Sequence, residues 1–197
     1  MRLKALLFGF VLAALAFGQA SAQKFNLGVE AGANFANFIG SSVSASSLTG
    51  SRLGLVGGGF LELNFGTSFA IRPELLYAQK GGKDTSNNTL QLDYIEVPVL
   101  VKLSLGTPGI NPGILVGPSF SFNTVAQVVN SGGGSTAINS VNTSDIGVII
   151  GAEVDIEKFF VTGRYELGLT NVQNAVNGVS SNVQNGLITL MVGYSFI

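Results

Sequence analysis

A period-two alternation of apolar and polar side chains, recurring in eight separate segments, constrains this chain more than any other feature. Such a period marks strands with one apolar and one polar face. In Lys24–Phe38 the odd positions carry Phe25, Leu27, Val29, Ala31, Ala33 and Phe35, and the even ones Asn26, Gly28, Glu30, Gly32 and Asn34. Arg52–Asn64, Ser68–Lys80, Tyr94–Leu103, Ile110–Asn123, Asp145–Glu157, Val161–Thr170 and Leu187–Phe196 repeat the pattern. The connections alternate too. Phe65-Gly66-Thr67, Ser104–Gly109 and Glu157-Lys158 are short, whereas Ile39–Ser51, Gly81–Thr89, Thr124–Ser144 and Asn171–Gly186 are long and built of Ser, Asn, Gly and Thr. An even count of antiparallel strands, with short turns at one rim and long loops at the other, predicts an all-β chain: an eight-stranded antiparallel up-and-down transmembrane β-barrel.

Alternation alone does not say which face meets the core, because a soluble ligand-binding barrel alternates with its apolar face inward. Composition separates the two. Only 11% of the residues are charged, and Gly reaches 27 of 197, whereas a soluble barrel's outer face should be roughly 25–35% charged. The polar face carries both signs close together, as Arg72 and Glu74, Glu96 and Lys102, or Arg164 and Glu166, which suits a lumen where charges need partners. Aromatic residues gather at strand ends in the manner of membrane-interface girdles. Phe25, Phe65, Phe69, Phe159, Tyr194 and Phe196 fall at the short-turn rim, and Phe35, Phe38, Tyr77, Phe120 and Phe122 at the other. The apolar face is therefore predicted to meet lipid. In hydrocarbon every backbone polar group must be paired within the protein, which a closed sheet achieves.

Met1–Ala22 has a different character. Arg2 and Lys4 precede the apolar stretch Ala5–Phe17, and Ala20-Ser21-Ala22 forms a small-residue cleavage site before Gln23. This is the pattern of a secretory signal peptide, too short for an anchor helix. Cleavage between Ala22 and Gln23 leaves Gln23–Ile197 as one barrel domain, with 8 basic against 11 acidic residues. Sec-type export and the outer membrane of a Gram-negative cell are the predicted route and destination.

Five segments stand in order along that domain: Gly28-Val-Glu-Ala-Gly-Ala-Asn-Phe35, Pro73-Glu-Leu-Leu-Tyr-Ala-Gln-Lys-Gly81, Tyr94-Ile-Glu-Val-Pro98, Gly163-Arg-Tyr-Glu-Leu-Gly-Leu-Thr-Asn171 and Gly193-Tyr-Ser-Phe196. Together they resemble the small outer-membrane β-barrel domain common in Bacteroidota, often called PorT-like, akin to OmpX- and OmpA-like eight-stranded barrels. The resemblance covers essentially all of Gln23–Ile197. It implies an eight-stranded outer-membrane barrel and, through the C-terminal strand, recognition by the barrel-insertion machinery. Family members commonly end on an aromatic residue, whereas here Ile197 follows Phe196.

The charges predicted to line the lumen are Glu62, Arg72, Glu74, Glu96, Lys102, Glu153, Arg164 and Glu166. Short turns at Phe65-Gly66-Thr67 and Glu157-Lys158 would set Glu62 diagonal to Arg72 and Glu153 diagonal to Arg164. Eight strands leave an interior just wide enough for side chains, so a packed, salt-bridged plug is expected ahead of an open pore. No catalytic, cofactor-binding or metal site is expected. His and Cys are absent, which removes the commonest general base, the commonest metal ligand and thiolate chemistry. Gly82-Lys83 precedes Asp84 where a phosphate loop needs Ser or Thr, and the near-neutral charge gives no footprint for nucleic acid. The expected role is structural or interactive, with the long loops meeting an envelope partner. A narrow channel for small solutes and a secreted soluble lipid-binding barrel remain as alternatives.

Overall fold

The computed structural model describes residues 24–39, 48–84, 86, 88–106, 109–138, 143–170 and 184–196. The expected signal segment with its Ala22/Gln23 cleavage site lies outside the described residues, as does most of the expected loops Ile39–Ser51 and Asn171–Gly186. Eight long strands are formed: β1 (Lys24–Ile39), β2 (Leu48–Phe65), β3 (Phe69–Asp84), β4 (Thr89–Ser104), β5 (Ile110–Val129), β7 (Ser144–Ile156), β8 (Phe159–Gly168) and β9 (Gln184–Ser195). The short β6 (Ser135–Ala137) pairs only with the far end of β5 among the described residues. Neighbours pair antiparallel in the order β4-β3-β2-β1-β9-β8-β7-β5, and the β4–β5 pairing closes the ring.

The register fixes the shape. A path from Lys24 through its ladder partners Asn64, Ala70, Lys102, Leu115, Gly151, Arg164 and Thr189 returns to β1 at Asn34, ten residues further on. For eight strands that stagger means a tilt of roughly 40° and about 2.5 Å of axial rise per residue. Tight turns join the strands at one end. Gly66 takes φ 78 between β2 and β3, a left-handed conformation that glycine adopts freely.

Which way the faces point is decided plainly. Phe25, Leu53, Leu55, Leu75, Ile150, Leu190 and Val192 are exposed on the outside, while Glu30, Glu74, Lys80, Glu153 and Thr162 are buried inside. A soluble lipid-binding barrel would reverse this arrangement, so that alternative falls. The outward aromatics form two belts, Phe25, Phe65, Phe69, Phe159, Tyr194 and Phe196 near the short turns and Phe35, Tyr77 and Phe120 further up. The stagger sets them about 20 Å apart along the axis, close to the roughly 25 Å apolar band of a membrane barrel. Phe65 and Phe69 lie 5.6 Å apart, and Tyr194 is 5.0 Å from Phe159 and 5.6 Å from Phe196.

Strands β2 to β5 run beyond the expected limits. β2 starts at Leu48 instead of Arg52, β3 reaches Asp84, β4 begins at Thr89 instead of Tyr94, and β5 continues to Val129. Part of Thr124–Ser144, expected as loop, is a β5–β6 hairpin. Above the apolar band the faces exchange character: Leu90, Leu92 and Tyr94 turn inward against Ala126, Val128 and Ile138, so the ladder continues with the alternation reversed. Gln91 and Gln127 bond across β4–β5 at 3.2 Å there.

Candidate functional site

Strand parity turns the charged residues inward, and the structure gathers them into clusters at successive depths. At the lowest, near the short turns, Arg72 donates from Nε and Nη2 to Glu62 (2.9 and 2.6 Å) and from Nη1 and Nη2 to Glu153 (2.6 and 2.7 Å). Lys102 Nζ lies 2.7 Å from Glu153 and 2.8 Å from Asp155. The Arg72 guanidinium sits 4.7 Å from the Phe60 ring centre and 5.0 Å from that of Phe160, within cation–π range of both. These rings fit inside because glycines face them. A Cβ at Gly28 would stand 2.4 Å from Phe60 Cζ, and one at Gly193 would stand 2.0 Å from Phe160 Cζ.

Higher up, Arg164 grips Glu74 with both terminal nitrogens (2.6 and 2.9 Å) and reaches Glu30 at 3.2 Å. Above it Lys80 is held by Glu96 at 2.7 Å and Glu166 at 2.9 Å, and Ser119 donates to Glu166 at 2.8 Å. Each of these clusters holds one carboxylate more than cations. Bidentate, charge-assisted bonds of this kind are the strong ones, and out of water each ion depends on its partners. At the upper rim Arg52 meets Asp93 at 3.2 Å and also donates to the Lys80 carbonyl, while the Tyr77 hydroxyl donates to Asp93 at 2.8 Å.

Glu62, Arg72, Glu74, Glu96, Lys102, Glu153, Arg164 and Glu166 all lie inside, but one expected pairing does not form. Glu62 does bond Arg72, whereas Glu153 bonds Arg72 and Lys102 rather than Arg164. The stagger raises Arg164 above Glu153 and brings Glu74 and Glu30, across the barrel, to its level. Lys80 at the centre of the upper cluster, Glu30 beside Arg164, and Asp155 beside Lys102 were not expected as site residues. Their even or odd position on a charged face was a usable signal for each. Phe60 and Phe160 gave none, because aromatic residues in such strands ordinarily face outward.

The remaining interior is apolar or filled. Leu100, Leu115 and Ile149 form one buried cluster, and Val56, Leu76, Ala78 and Met191 another. A cavity of about 530 Å³ opens at the short-turn mouth between Asn26, Asn64, Ser104, Asn111 and Asp155, and ends on Phe60, Phe160 and Arg72. Near Glu96 and Glu166 a space of about 10 Å³ remains, which is about one water-sized sphere. Among the described residues no group of carboxylates is arranged to hold a metal ion. Outside the barrel, in the β3–β4 turn, the Asp84 carboxylate accepts from the Ser86 and Asn88 backbone N–H groups at 2.8 Å each. The Asn88 side chain donates to it at 2.9 Å. These donors, the Asn88 side chain foremost, hold its pKa below the ordinary carboxylate value.

Residues 17–174 match the family described as outer membrane protein beta-barrel domain. The chain belongs to that family. As an outer-membrane β-barrel it sits in the lipid bilayer. Among solved structures, neisserial surface protein A is similar at a TM-score of 0.53 and 16% identity, over 86% of this chain and 97% of that one. Ail of Yersinia pestis, solved with the heparin analogue sucrose octasulfate, is 12% identical with a TM-score of 0.49, over 88% and 99% of the two chains. The N-terminal barrel domain of Pseudomonas aeruginosa OprF is 16% identical with a TM-score of 0.41, over 88% of this chain and 100% of that one. No curated protein sequence matches the chain.

Proposed function

We propose that this outer-membrane barrel is a structural and interaction protein, plugged by salt bridges and presenting its outer loops to an envelope partner. One observation carries the reading. Arg72, with Phe60 and Phe160, closes the periplasmic cavity from above, and ion pairs and apolar side chains occupy the lumen beyond it. A barrel so filled has only its rims left for recognition. Four outer connections, about Ile39–Ser51, Gly81–Thr89, Thr124–Ser144 and Asn171–Gly186, supply the exposed chain, and Lys83 and Asp84 are their only charged residues. On this reading Met1–Ala22 is removed after export, and the Tyr194/Phe196 pair on the last strand engages the insertion machinery.

Two measurements test the proposal. Purified protein in planar bilayers is expected to give no discrete conductance steps. Steps altered by Arg72→Ala or Glu96→Ala would replace this reading with a narrow solute channel. Photo-cross-linking from positions such as Ser86 and Ser131 in intact cells is expected to capture a specific envelope component. Full fitness after deletion of every outer loop, with no cross-link, would refute the interaction role.

A further inference from the structure

The cavity at the short-turn mouth holds about 530 Å³, within the roughly 300–1,000 Å³ of small-ligand sites. It lies at the rim opposite the long loops and has no part in the interaction proposed for them. Its cations are already engaged. The three guanidinium nitrogens of Arg72 all bond to Glu62 or Glu153. Lys102 Nζ lies 2.7 Å from Glu153 and 2.9 and 2.8 Å from the two Asp155 oxygens. Lys158, at the rim, donates to the Phe196 carbonyl at 3.3 Å. Glu62, Glu153 and Asp155 therefore share two cations, and one negative charge in this cluster has no counter-ion.

Two of these carboxylates border the empty space. Glu62 has only 6% of its side chain exposed, and both its bonds to Arg72 fall on Oε2. Its Oε1 receives the Asn26 amide at 3.5 Å, a length at which a hydrogen bond is weak, and Asn26 also lines the cavity. Asp155 is half-buried at the mouth. Glu62 and Asp155 lie 3.6 and 2.8 Å from the same Lys102 Nζ, so they border one part of the space.

This arrangement selects among ligands by charge. An anion entering the mouth would meet carboxylates and cations that are already paired. A neutral molecule would leave the excess charge unbalanced. A protonated amine brings N–H donors for acceptors that lack strong ones and makes the cluster three carboxylates against three cations. Phe60 and Phe160, at the inner end of the cavity, offer apolar surface to an alkyl stem.

We propose that this vestibule binds an alkylammonium group, its nitrogen donating to Glu62 and Asp155 and its stem lying toward Phe60 and Phe160. A free diamine and a lysine side chain of a polypeptide carry the same chemistry, and the test separates them.

The full barrel, isotope-labelled in nanodiscs of zwitterionic phospholipid, is titrated with four probes. These are cadaverine, a capped tri-lysine peptide, glutarate as the dicarboxylate of cadaverine's length, and glucose as a neutral polar molecule. Cadaverine should shift the side-chain amide signals of Asn26 and Asn111 saturably, while glutarate and glucose leave them in place. Asp155→Asn should weaken cadaverine roughly five- to tenfold, the effect of losing one charge-assisted bond, whereas Asp84→Asn at the opposite rim should not change it. Tighter binding of the peptide than of cadaverine assigns the lysine side chain, and weaker binding assigns the free diamine. Glutarate or glucose binding as tightly as cadaverine, no saturable shift with either amine, or an unchanged affinity in folded Asp155→Asn would overturn the site. The wild-type comparison of the four probes decides this even if the variant folds poorly.

Discussion

Replacing Arg164 by methionine isolates what the central ion cluster contributes. Arg164 is the cation bonded to both Glu74 and Glu30, and all three residues are buried. Its loss leaves two buried carboxylates facing each other without the cation they share. Breaking a buried pair by removing one partner costs about 3–5 kcal/mol, which for a domain of this size lowers the unfolding midpoint by roughly 6–20 °C. Arg72→Met should cost less, because Lys102 still holds Glu153 at 2.7 Å. The decisive arm is the triple variant Glu30→Gln, Glu74→Gln, Arg164→Met. With no stranded ion left it should recover most of the loss, since buried ion sets can be replaced by neutral ones at little cost. The midpoint is read from the heat-dependent mobility shift on gels, with urea unfolding in lipid vesicles as a check. A single-variant loss below about 1 kcal/mol, or a triple variant no better than the single, would refute the account of the interior as mutually dependent ions.

Other outcomes follow from the same geometry. Gly193→Ala sets a Cβ 2.0 Å from Phe160 Cζ, so Phe160 must move, at about 1–3 kcal/mol. In a Phe160→Ala background the same Gly193→Ala change should cost clearly less in the same gel assay, because the ring it would strike is gone. On the lipid face, Leu190→Arg lies near mid-depth and should cost about 2–4 kcal/mol, against about 0–1 for Leu53→Arg near the outer belt. Equal losses by vesicle unfolding would contradict the depth assigned by the register. Asp84 has a depressed pKa in the folded turn. Its stabilising effect on that turn is therefore fully present above the ordinary carboxylate pKa and is lost as pH falls through the lowered value. The Ser86 and Asn88 amide signals should shift across that acid range and stay flat in Asp84→Asn.

Much of the architecture is readable in the sequence because a membrane barrel imposes one rule on every spanning strand. Alternation gave the eight strands, the aromatic residues at their ends gave the two belts, and scarce charges on the polar face pointed into the lumen. Local signals stop where the hydrocarbon stops. The upper reaches of β2 to β5 and the short β6 lie beyond the band, where Leu90 and Leu92 turn apolar side chains inward and reverse the spanning pattern, so they read as loop until pairing revealed them. Partner choice was equally hidden. Arg164 and Glu74 are 90 residues apart in the chain, and neither strand pattern indicates that they share a depth.

The chain by itself therefore determined that a closed antiparallel sheet would form, which face would meet lipid, and which side chains would be enclosed. Only the tertiary structure decided which carboxylate each cation holds and how Gly28 and Gly193 admit two inner phenyl rings. The physical reason is the stagger. Alternation specifies facing, a property of single residues, whereas depth in the lumen is set by a ten-residue offset accumulated around the closed ring, and no segment contains that offset.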